Sequence, residues 1–184
     1  MSDTELYVPL AEGDLELVLL TEAHREGLRA ACAQDSDVWT VYPTCWIGEH
    51  FDLQFDKLLT AAPHRRAYAI CRGGEVVGMT AWIDQGQPGW SIEIGNSFIA
   101  PSLRGTGFNR RVKQLMIDHA FACGLERVGF KVDMLNERSR AAVAKLGAVE
   151  EGVLRHERKT WTGRVRDTVS FSILSGEWKA AQGA

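Results

Sequence analysis

Between Trp90 and Gly124 the sequence passes from a strand pattern through a glycine loop into a helical stripe. That order marks a strand–loop–helix junction. Ile92, Ile94 and Phe98 alternate with Ser91, Glu93, Gly95 and Ser97, as in a half-buried strand, and only Asn96 falls on the apolar side. The loop Pro101-Ser-Leu-Arg104-Gly105-Thr106-Gly107-Phe108-Asn109 follows. Phe108, Val112, Leu115, Met116 and Ala120 then form one stripe of a helix that Gly124 ends. A helix start of this kind carries unpaired N–H groups and partial positive charge, and glycines let a ligand approach the backbone. It reads as a phosphate cradle or, more plainly, as a turn that caps a helix. No Gly-Lys-Ser/Thr ends the loop, so it is not a Walker A sequence. Arg110 stands where a dinucleotide fingerprint needs its last glycine.

The remaining chain supplies strands and helices around this junction. Leu15–Leu20 reads as a first strand, and Thr21 caps a helix of about thirteen residues. A second helix starts near Glu49, with Phe51, Phe55, Leu58, Leu59 and Ala62 at helical spacing. Strands follow at Ala67–Cys71 and Glu75–Ile83, and later at Arg127–Asp133, Val149–Glu157 and Arg164–Leu174. Asn136 caps a short helix that ends at Gly147. The order predicts an α/β (α+β) fold, a mixed and mostly antiparallel sheet of six to seven strands with helices on both faces. One domain over residues 1–184 is expected, with a core from about residue 14 to about 178.

Composition narrows the function classes. A net charge of -3 provides no field to gather nucleic acid or an anionic membrane. No apolar run nears the ~18 residues of a membrane helix, and Met1-Ser-Asp-Thr-Glu-Leu6 lacks a signal peptide's positive region. The expected compartment is the cytoplasm. Cys32, Cys45, Cys71 and Cys123 are far apart with no C-x-x-C pair, so they read as reduced core residues rather than metal ligands.

The stretch from Glu93 through Asn109, with its following helix, resembles motif A of the GNAT N-acetyltransferases. Asn136 to Arg155 resembles motif B, and Gly163–Leu174 is similar to the last strand of the branch that includes Rim-type ribosomal-protein N-terminal acetyltransferases. The resemblance implies acetyl-CoA as co-substrate, an amine acceptor, no metal and, as often among relatives, a homodimer. Arg104 and Gly107 match the first and fourth positions of the family's Q/R-x-x-G-x-G/A, and Asn109 fills the sixth. It implies a cofactor site made of Phe98, Ile99, Arg104, Gly105, Thr106, Gly107, Phe108, Asn109, Arg110 and Asn136. Arg110 and Arg111 oppose the helix dipole and read either as extra phosphate contacts or as solvated surface.

The same resemblance implies Glu93 as the base or water-orienting group; read structurally, it is a solvent-facing strand carboxylate. The tyrosine that usually protonates the leaving thiolate falls at Val143, so that acid is missing, and Ser139 is the candidate substitute. Trp39, Tyr42 and Trp46 lie in the segment that closes over the acceptor in relatives, and they read as stacking surfaces or as a hydrophobic plug. The expected reaction is acetyl transfer to a primary amine by direct attack in a ternary complex. The expected acceptor is a protein N-terminus or, alternatively, a small-molecule amine or aminoacyl conjugate. A non-catalytic acyl-CoA-binding module is the other class.

Overall fold

The computed structural model describes residues 3–84 and 86–182, so Met1 and Ser2 of the N-terminal stretch lie outside the described residues. Eight strands make one sheet in the order β1-β2-β3-β4-β5-β6-β8-β7. They are β1 (Leu10–Glu12), β2 (Leu15–Leu19), β3 (Arg65–Arg72), β4 (Glu75–Ile83), β5 (Ser91–Ile99), β6 (Arg127–Asp133), β7 (Val149–Lys159) and β8 (Val165–Leu174). The expectation of six to seven strands falls short by β1. Its three residues pair with β2 across a tight turn and are too short to show a period.

The helices are α1 (Asp3–Leu6), α2 (Arg25–Ala33), α3 (His50–Leu59), α4 (Phe108–Ala122), α5 (Glu137–Ala144) and α6 (Ser175–Gln182). The helix expected from Thr21 opens instead with a 3-10 turn, Glu22–His24, because the His24 ring accepts the Thr21 amide at 3.0 Å. On one face of the sheet α4 lays Phe108, Val112, Met116, Ile117 and Ala120 against Tyr68, Trp82, Ile92 and Ile94. On the other, α2 and α3 set Leu28, Cys32, Phe51 and Phe55 against Met79, Ala81 and Phe98. Burying both faces satisfies each amphipathic stripe and makes the sheet the centre of two cores.

Two irregularities in β5 shape the site. Met79 pairs with Phe98 and Ala81 with Gly95, so Asn96 and Ser97 together oppose Thr80. This is a β-bulge, and Asn96 takes φ +49° within it. The extra residue inverts the pleat. Ile92 and Ile94 therefore face α4 while Phe98 faces α2 and α3, which corrects the single apolar face expected from their even spacing. The bulge also drives the Phe98 carbonyl into the space that a Cβ on Gly78 would occupy, so only glycine fits there. The second irregularity is a parting of strands. β5 pairs with β6 in parallel only from Ser91 to Glu93, against Arg127 to Gly129. Beyond Glu93 the β6-facing edge of β5 has no ladder partner, and the sheet opens as a V.

Candidate active site

The glycine loop sits beside the opening of the V. Gly105 (φ +75°) and Gly107 (φ +88°) are left-handed and exposed, with open space where a Cβ would project. Thr106 Oγ1 donates to the Leu103 carbonyl at 2.8 Å and accepts the Phe108 amide at 3.3 Å. Phe108 thus has a capped amide and a ring buried in the core at 4% exposure. Among the described residues, no acceptor is found for the amides of Gly105, Thr106, Gly107, Asn109 and Arg110. Five donors at the start of a long helix form a cradle that fits a pyrophosphate.

The arginines divide. Arg104 pairs with Asp35, donates to the Ile99 carbonyl at 3.3 Å and lies over the Phe98 ring, holding Asp35 below the ordinary carboxylate range. Its side chain fastens the loop to the segment after α2 rather than pointing into open space. Arg111 is bound by Asp14 at 2.9 Å and by Glu12, which removes it from the phosphate-contact reading; the β1–β2 turn supplies the carboxylates its helix position faces. Arg110 is exposed, and no ion pair is found for it among the described residues.

Glu93 marks the last rung before the strands part. It is 7% exposed, which excludes the solvent-facing reading. Burial pushes its carboxyl above the ordinary value, and Lys131, Arg158 and Arg65 temper the rise. Lys131 Nζ stands 4.0 Å away. A carboxylate held this way is a stronger base than one in water.

The aromatic segment is closed. Trp39 is fully buried, stacked on Phe98 at 4.8 Å, and Trp46 is 3% exposed against Phe51. Both rings are core packing here. Tyr42 stays partly exposed; its hydroxyl donates to the Ser97 carbonyl at 2.6 Å, and burial raises it to about 12. The β7–β8 hairpin clasps the segment from outside. Trp161 donates from Nε1 to the Trp39 carbonyl at 2.8 Å and from its amide to Pro43 at 3.0 Å. Arg164 bridges the buried Asp133 at 2.5 Å and the Thr40 carbonyl at 3.4 Å.

Across the V, Asn136 Oδ1 accepts the Ser139 amide at 3.1 Å, as an N-cap. The Asp133 carbonyl accepts the Asn136 amide at 2.9 Å, and its carboxylate accepts the Leu135 amide at 3.0 Å. Asp133 therefore sets the turn that presents Asn136. Ser139 is half-buried, and Val143 is in the core at 6% exposure. A cavity of about 410 Å³ lies between this turn and the Asp35–Val41 segment, lined by Asp35, Asp37, Asn136 and Glu137 among others. Sequence reading missed Asp133, Trp161 and Arg164, because a buried ion pair and a hairpin clasp leave no periodic signal. It also missed Lys113, a lone lysine on the buried side of α4.

The cysteines stand apart from this geometry. Cys32, Cys45 and Cys71 are buried, and burial raises the Cys32 and Cys71 thiols. Cys123 Sγ is 3.7 Å from His119 Nε2, but that pair lies at the far end of α4, roughly 20 Å of helix from Gly107. Among the described residues there is no metal-ligating cluster and no helix long and apolar enough to cross a membrane.

A family model for an acetyltransferase (GNAT) domain matches residues 14–149. The chain is 32% identical over 124 residues to the Bacillus subtilis (strain 168) protein "Putative ribosomal N-acetyltransferase YdaF", covering 62% of this chain and 67% of that one. It superposes with a TM-score of 0.83 on a T. thermophilus structure solved as a "putative acetyltransferase", at 32% identity over 95% of this chain and 93% of that chain. Mycobacterium smegmatis RimJ in complex with CoA-disulfide shares the fold at TM-score 0.74 and 21% identity, over 95% and 93% of the two chains. The open V, the glycine cradle and the matched domain agree, and the chain belongs to the GNAT acetyltransferases.

Proposed function

We propose that this enzyme transfers the acetyl group of acetyl-CoA to the N-terminal amine of a protein, a ribosomal protein being the class its B. subtilis relative's name suggests. GNAT acetyltransferases draw on acetyl-CoA, and the site's residues fit it. The amides around Gly105 and Gly107 take the pyrophosphate with help from Arg110. The Ile99 amide, on the edge of β5 turned away from β4, and the side chain of Asn136 flank the amide-rich arm. When bound, the thioester supplies the electrophile.

The observation that carries the reading is Glu93, a buried carboxylate at the apex of the V. An α-amino group with a pKa of about 8 is mostly protonated at pH 7 and needs a base before it can attack. Glu93 accepts that proton, directly or through one water. The amine nitrogen forms its bond to the carbonyl carbon, the C–S bond breaks, and the leaving thiolate accepts a hydrogen bond from the Ser139 hydroxyl and takes its proton from solvent. Direct attack in a ternary complex suits the buried, raised Cys32 and Cys71 thiols, which make poor nucleophiles. The cytoplasm, where ribosomal proteins are made, is the proposed compartment.

A pH–rate series tests this. Because the Glu93 carboxyl is raised, activity should fall as pH drops through a value above 4.5, the protonated acid being unable to accept a proton. Glu93→Gln should lose that limb together with most of kcat. Wild-type rates in Glu93→Gln, or ping-pong kinetics, would overturn the scheme. The second reading, a small-molecule amine, is favoured by the cavity of about 410 Å³, modest for a peptide. Matched panels of N-terminal peptides and small amines discriminate the two. Tight CoA binding with no thiol release on any amine would leave only a binding module.

A further inference from the structure

Lys113 is the one buried lysine among the described residues, 4% exposed in the middle of a core helix, and no ion pair is found for it there. An ammonium buried without a counter-ion costs free energy that its hydrogen bonds only partly offset. Its Nζ donates to Ser97 Oγ and, at 3.1 Å, to Thr80 Oγ1. Those two hydroxyls lie 3.3 and 3.4 Å from the Gly95 carbonyl, which they can reach as donors. Thr80, Ser97 and Gly95 are the residues that bound the β5 bulge. The opposite side of the bulge is tied by Tyr42, whose hydroxyl reaches the Ser97 carbonyl at 2.6 Å. The bulge is therefore gripped from both faces, and the next two residues are Phe98 and Ile99.

We propose that Lys113 is a positioning residue that clamps the β5 bulge from α4 and thereby aims the backbone at Ile99, on the edge of β5 turned away from β4, at the amide arm of acetyl-CoA. The inference rests on that arm pairing along β5. A bulge bends its strand and raises its twist, so the direction of the unpaired edge depends on how the extra residue is held. The partners of Lys113 Nζ are Thr80 of β4 and Ser97 of β5, and Thr80 Oγ1 in turn lies 3.6 Å from the Met116 Sδ of α4. None is charged. Burial alone lowers the ammonium to about 7.

The position thus trades stability for aim, and the two can be measured apart. Lys113→Met keeps length and apolar volume and removes both charge and donor. Its midpoint temperature should equal or exceed that of the wild type, while its Kd for CoA by calorimetry rises about tenfold, the cost of charged hydrogen bonds lost. The stability gain has a pH signature. A lysine lowered from 10.5 to about 7 binds fewer protons folded than unfolded between those values, so wild-type stability climbs with pH there. The advantage of Lys113→Met should be largest near pH 6 and vanish toward pH 10. Lys113→Gln, which restores a donor without a charge, should recover part of the CoA affinity.

Unchanged CoA affinity in a folded Lys113→Met overturns the proposal. So does a loss of affinity that merely tracks a loss of stability in both variants. If Lys113→Met does not fold, Lys113→Gln carries the test, and affinity equal to the wild type's with a lowered midpoint assigns the lysine a purely structural role. Failure of the wild-type protein to bind CoA would instead remove the cofactor reading on which the inference stands.

Discussion

The two sides of the V are built on opposite plans. On the cofactor side the polar groups are backbone amides, left open by Gly105, Gly107 and the first turn of α4. On the other side the segment after α2 is fastened by contacts with Arg104, Tyr42, Trp161 and Arg164. On the proposed reading, one side presents donors to acetyl-CoA, which is the same in every turnover. The other, closed by tertiary contacts, would then select its acceptor through the clasp rather than through any single ring.

That contrast can be broken where the two plans meet. The largest effect is expected at Glu93: Glu93→Gln should reduce kcat by about 10²–10⁴-fold with little change in CoA affinity, read by thiol release and calorimetry. Next comes Gly78→Ala. The added methyl would overlap the Phe98 carbonyl, so β4 and β5 must separate. A loss of about 1–3 kcal/mol in denaturant unfolding and weaker CoA binding should appear together. Gly107→Val, at φ +88° on the open side, should spare the core yet raise the KM for acetyl-CoA about tenfold through strain of about 1–3 kcal/mol. Trp161→Ala releases one strap of the clasp. It should alter acceptor KM a few-fold, leaving acetyl-CoA KM unchanged in initial-rate kinetics. The smallest effect is expected from Arg111→Ala. Its guanidinium is spent on Glu12 and Asp14, so CoA affinity should be within experimental error of the wild type.

Legibility in the sequence follows the same division. The cradle was readable because its chemistry is local: glycines, a strand before and an amphipathic helix after. Strand limits at Glu75–Ile83 and Arg127–Asp133 also emerged intact, the first because the Gly73-Gly74 turn marks its start and the second because it alternates. The phase of β5 did not. Asn96 was the visible anomaly, but only the pairing of Thr80 with two residues explains why Phe98 changes face. Trp39 and Trp46 illustrate a different limit. Aromatic residues in a loop advertise either a binding surface or a plug, and burial, a three-dimensional quantity, separates the two. Arg104 matched a motif by type, yet its guanidinium answers to Asp35, distant in sequence and adjacent in space. Lys113 fits no motif and interrupts an apolar stripe, the kind of local inconsistency that often marks a site under functional constraint.

The short parallel pairing of β5 with β6 has a thermodynamic corollary. Strands β1 to β5 form an antiparallel meander, and β6 to β8 with α5 form a second unit, joined in the sheet only from Ser91 to Glu93. Acetyl-CoA bound as proposed would touch both, from the Gly105 loop on one unit to Asn136 on the other. It would then act as a removable staple between two half-sheets. Resistance to unfolding should scale with the logarithm of cofactor concentration, gaining about 2.7 kcal/mol at a hundredfold excess over Kd. The same staple should slow amide exchange on both sides of the seam together. In a cell the enzyme's lifetime would then follow its supply of acetyl-CoA, making persistence of the protein a readout of the metabolite it consumes.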